Sequence, residues 1–110
     1  MTRSPHIIRQ GDVLLIEVEA IPEGAVETTP DGDVILAYGE VTGHAHRIVQ
    51  TKAAPKVRTW EAAGERFIQL VESYALLSHE EHVTALIQEP FYRQIYQVEE
   101  RGEEVRHVAD

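Results

Sequence analysis

Four of the chain's six histidines stand in two tight groups, His44-Ala45-His46 and His79-Glu80-Glu81-His82. Imidazole is the commonest metal ligand and titrates near neutrality, so such clustering points to metal binding or to acid–base chemistry. On a strand, residues i and i+2 project from one face about 6.6 Å apart. Two rings at that spacing can converge on one ion at about 2.1 Å. Ala45 is small and is expected to face away, and Gly43 frees the backbone just before the pair. In the second group, residues i and i+3 share a face on a helical turn, and a tight turn can aim both inward. Glu80 and Glu81 offer a carboxylate ligand, an orienting partner or a general base. The second histidine comes one residue too early for H-E-x-x-H, so a metalloprotease reading does not transfer. Arg47, beside the first pair, could bind an anion. The expected metal ligands are therefore His44, His46, His79 and His82, with Glu80, Glu81 and Arg47 as catalytic candidates. If the two groups meet, three histidines and an open position are the pattern of a catalytic zinc. Two histidines with a carboxylate would suit non-haem iron. The cofactor expected is a divalent metal: zinc, manganese or iron.

Strands must position these groups. Val13–Val18, Val34–Tyr38, His44–Val49, Val57–Trp60, Arg66–Glu72 and Phe91–Glu99 are short β-branched or alternating runs. Gly and Pro turn signals such as Ile21-Pro22-Glu23-Gly24 and Pro30-Asp31-Gly32 separate them. Ser78–Glu81 matches a helical capping box, yet Thr84–Gln88 has the character of a strand. One tight turn over His79–His82 followed by a strand is the expectation, with at most one short helix. Six to eight short strands predict an all-β fold: a small antiparallel β-sandwich or barrel.

The 110 residues fit one domain spanning 1–110, with 1–10 and 100–110 expected to be flexible tails. Ten Lys and Arg against 19 Asp and Glu give a net charge of −9. That field repels duplex DNA and long RNA but not a small anionic substrate in a locally positive pocket. The absence of cysteine excludes disulfides, thiolate metal sites and a cysteine nucleophile. No apolar run approaches membrane-spanning length, so no membrane is expected and a cytoplasmic location is the default. Short strands leave edges that need cover, which predicts a homo-oligomer.

The H-x-H on a β-rich chain of this length resembles the cupins, small jelly rolls with a central metal. The resemblance implies that His44 and His46 form the first ligand element and His79 or His82 the later one. Gly39 stands one residue closer to His44 than in that motif, and no Glu follows His46 at the expected distance. Gln10-Gly11-Asp12-Val13-Leu14-Leu15, Gly39-Glu40-Val41-Thr42-Gly43-His44-Ala45-His46 and Leu77-Ser78-His79-Glu80-Glu81-His82 resemble an uncharacterised family of short bacterial proteins, which implies no activity.

Three functions compete. The first is a small metal-dependent enzyme, a hydrolase by default because a metal brings the pKa of bound water near 7. The second is a metal-independent phosphodiesterase or nuclease, in which histidines act as acid and base on a small or single-stranded substrate. The third is a non-catalytic metal-binding or oligomeric scaffold module.

Overall fold

A computed structural model of the chain describes residues 3–96, 98–101 and 104–107. It contains strands and turns and, among the described residues, no helix. None is therefore long and apolar enough to cross a membrane. In chain order the strands are β1 (Ile7–Gln10), β2 (Val13–Glu17), β3 (Val26–Glu27), β4 (Val34–Tyr38), β5 (Ala45–Ile48) and β6 (Val57–Ala62). There follow β7 (Glu65–Leu70), β8 (Ala75–His79), β9 (His82–Ile87), β10 (Phe91–Tyr96), β11 (Val98–Arg101) and β12 (Glu104–His107). One antiparallel sheet runs β1-β2-β10-β7-β6-β3 and a second β4-β5-β8-β9, while β11 and β12 pair as a separate ribbon.

The alternation in the sequence becomes the inward face. Val13 and Leu15 on β2, Val34 and Leu36 on β4, and Ala75 and Leu77 on β8 are buried, with more exposed neighbours between them. They meet Ile8, Ile48, Val57, Ile68, Ile87 and Tyr92 in one core drawn from both sheets. This is the small antiparallel β-sandwich the sequence predicts, and 79–88 is hairpin and strand, not helix. Each large apolar side chain fully buried there contributes about 1.5–3 kcal/mol.

Tight turns fix the register. Ala63 and Gly64, both with positive φ (53° and 78°), join β6 to β7. That is the primed geometry whose twist matches the flanking strands. Between β1 and β2 only Gly11 has positive φ (58°), as a type II′ turn requires at its first central residue.

Polar side chains inside the sandwich tie its irregular places. The register of β4 on β5 slips between Ile35 and Ala37, and the carbonyl of Leu36, within that slip, accepts from buried Gln94 Nε2 at 2.8 Å. Gln50 Oε1 accepts from the N–H groups of Lys56 and Val57, closing the 51–56 loop. Buried backbone groups must find partners, and glutamine reaches where no strand does.

Several elements differ from the sequence expectation, among them β8 and, within the expected C-terminal tail, β12. The strand β1 lies within the irregular 1–10 segment. The brief β3 is added between two turn signals. The third strand of the site begins at Ala45 rather than His44, because Gly43 at φ 88° and a Val41 carbonyl to His44 N–H bond of 3.0 Å keep His44 in a turn. Of the expected C-terminal tail, residues 102, 103 and 108–110 lie outside the described residues.

Candidate metal centre

Three hairpin ends converge: the β1–β2 turn, the loop from β4 into β5, and the β8–β9 turn. In the last, His79 and His82 are cross-strand partners closing the two-residue loop Glu80-Glu81. Directly opposed residues point to the same face, so the H-x-x-H spacing is met by a hairpin instead of a helical turn. On β5, both Ala45 and His46 are buried, and His46 has no exposed surface.

The rings of His46 and His79 lie 4.3 Å apart, those of His79 and His82 4.6 Å, and those of His46 and His82 5.5 Å. One ligand nitrogen from each of the three lies within 4.8 Å of the others. An ion at about 2.1 Å from each nitrogen holds neighbouring ligand atoms about 3.4 Å apart in a tetrahedron. The three residues could therefore hold a metal ion after modest side-chain closure.

His46 is set for this role by Gln10, which sits inward on β1. Gln10 Nε2 donates to the carbonyls of Leu77 and Val83 at 2.8 and 2.9 Å. Two carbonyl acceptors fix the amide's orientation, so its Oε1, 2.8 Å from His46 Nδ1, must accept. The Nδ1 of His46 then carries the proton and Nε2 presents a lone pair. Metal-binding histidines are oriented in this way by a partner on the other ring nitrogen. The Val83 carbonyl is reachable because the β8–β9 register shifts between Leu77 and His79, opening β9 beside the turn.

His79 is held differently. Its Nδ1 accepts the N–H of Glu81 at 3.0 Å, which puts the proton of the neutral ring on Nε2. An ion binding at Nε2 would shift that proton to Nδ1 and release the Glu81 N–H. Gly39 makes room for this ring: a Cβ there would stand 3.0 Å from His79 Nε2 and 3.3 Å from His44 Cβ.

The fourth predicted ligand, His44, stands apart from the three. Its Nδ1 lies 2.9 Å from Glu81 Oε2, and its ring is 6.1 Å from that of His79, edge-on. Glu80 and Arg47 are engaged with backbone. Glu80 Oε1 accepts the Ala45 N–H at 3.0 Å and its Oε2 faces Arg47 at 3.5 Å. The Ala45 N–H, the glutamate's own N–H and the nearby His44 and Arg47 hold the Glu80 carboxyl below the usual glutamate range. Arg47 also donates to the Gly43 carbonyl at 3.2 Å. The two histidine groups thus meet through three of their four members. Gln10 and Gly39 went unnoticed as site residues, though a glutamine two places after Ile8 on an alternating run was a signal for a buried polar group.

The profile of DUF8820, a domain of unknown function, matches residues 9–97, a span that contains every residue of this centre. No curated protein and no solved structure matches the chain.

Proposed function

The chain belongs to this family of unknown function, and we propose from its own geometry that it is a small metal-dependent enzyme, a hydrolase acting on a small anionic substrate. The observation that carries the reading is the convergence of His46, His79 and His82 from two separate hairpins, with His46 wholly buried and its tautomer set by Gln10. A structural pair of surface histidines needs none of these. The net charge of −9 raises the local concentration of cations. When bound, a zinc, manganese or iron ion would act as a Lewis acid and acidify water to a pKa near 7.

The chain's own residues then divide the remaining work. His44, oriented by Glu81 through Nδ1, is the proton carrier beside the three-histidine group. Glu80 and Arg47 are positioning residues: they hold the start of β5 and the Gly43 bend, and so hold His44.

Elemental analysis of the purified, tag-free chain tests the reading. The expected result is about one zinc, manganese or iron per chain, lost in His79→Ala and in His82→Asn. His44→Gln should keep the metal and lose turnover of activated phosphate or carboxylate esters, roughly 100-fold for a displaced acid–base group. A wild-type chain that takes up none of these ions on incubation sinks the metalloenzyme. Metal bound without turnover in any variant, wild type included, would point instead to a structural centre.

A further inference from the structure

We infer that Asp12 is a fourth, carboxylate ligand of the three-histidine centre. The inference rests on the metal-binding reading and deepens it.

Asp12 is the second residue of the β1–β2 turn, and its Oδ1 lies 3.5 Å from His46 Nε2. The same turn begins at Gln10, whose fixed amide accepts the Nδ1 proton of His46. In neutral His46 the Nε2 atom is therefore an acceptor, and it faces a carboxylate oxygen, also an acceptor. Two lone pairs at that distance repel unless a positive charge lies between them. A cation shared by both groups supplies that charge. A shared ion also accounts for the other two rings, because His79 and His82 each bring a nitrogen within 4.8 Å of one on His46. The spacing agrees: an oxygen and a nitrogen each about 2.1 Å from one tetrahedral ion stand about 3.4 Å apart.

Local structure supports the assignment. Gly11 at φ 58° supplies the one positive backbone angle of this turn, leaving Asp12 in an ordinary conformation with its Oδ1 facing His46. The side chain is 22% exposed whereas His46 is sealed, so Asp12 marks the solvent side by which an ion enters. Three imidazoles and one carboxylate make a donor set of one negative charge, suited to zinc, manganese or ferrous iron. With four protein ligands in place, a substrate would have to expand the coordination or displace Asp12.

Apo protein would be titrated with Zn²⁺ against a chromogenic chelator, and with Co²⁺ read by visible absorption, for wild type, Asp12→Asn, Asp12→Ser and, at an exposed surface carboxylate, Asp31→Asn. Asparagine and serine both suit turns, so at least one variant should fold by circular dichroism. The expected result is a loss of Zn²⁺ affinity of at least about tenfold in both Asp12 variants, with an altered Co²⁺ spectrum, and no change in Asp31→Asn. Wild type that binds neither ion overturns the metal reading and this inference with it. Wild type that binds, with an Asp12 variant matching it in affinity and spectrum, overturns the Asp12 assignment alone.

Discussion

Gln10 is the residue on which the centre's geometry turns, because one amide satisfies two carbonyls and one imidazole. Replacing it with leucine keeps the volume and removes every partner. Each buried group left unmet costs about 1–3 kcal/mol, so Gln10→Leu should lower stability by an amount in that range or above it. It should also let His46 exchange tautomers, visible as averaged ring-nitrogen shifts in ¹⁵N NMR of the apo protein. A single Nδ1-protonated His46 in the variant would show that something else sets the ring. At this scale the sequence disclosed the chemistry and missed its supports. Histidine pairs announce themselves by type and spacing. The alternating run can mark Gln10 as buried, but what Gln10, Asp12 and Gly39 do is set by what lies opposite them in space, which no local pattern names. His44 stands outside the three-histidine group for a related reason: the i, i+2 rule holds only within a strand, and the Gly43 turn ends one residue too late.

Among the elements, the N-terminal hairpin is tied down at its far end from the centre. Glu17 accepts from the His6 N–H at 2.9 Å and pairs with Arg3, which also reaches Glu89 at 3.1 Å. The Arg3 hydrogen bond, then the His6 N–H, holds the Glu17 carboxyl below its usual range. A depressed carboxyl contributes its stability above the unfolded value, about 4.3 for glutamate, and the contribution is lost as pH falls through the lower folded value. Glu17→Gln should therefore melt below wild type at pH 7, with the gap closing toward pH 3. A gap that stays constant with pH would assign it to packing. The long alternating strands were legible, since period two survives wherever one face is buried. The two-residue β3 and the slips in β4–β5 and β8–β9 were not, because a bulge is decided by the partner strand and leaves no mark of its own.

For the whole molecule, the sandwich class followed from strand number and spacing, whereas the strand order did not. Tyr92 shows what holds the order: it is fully buried, pairs with Ile68 on one side and Glu17 on the other, and its hydroxyl accepts the Glu89 N–H at 3.0 Å. Tyr92→Phe keeps the ring and strands that N–H, so it should cost about 1–3 kcal/mol, measured as a lower urea midpoint at unchanged slope. No change would mean that the Glu89 N–H is met by solvent. The central place of β10, between β2 and β7, has a consequence in time. Every residue of the metal centre is synthesised before β10, yet the sheet that carries Gln10 and Asp12 cannot close until β10 has left the ribosome and slotted between two strands made long before it. Such non-local pairing is slow to form. The centre is thus a late arrival on the folding route, and a bound ion would act as a latch on the finished protein, retarding its unfolding without hastening its folding.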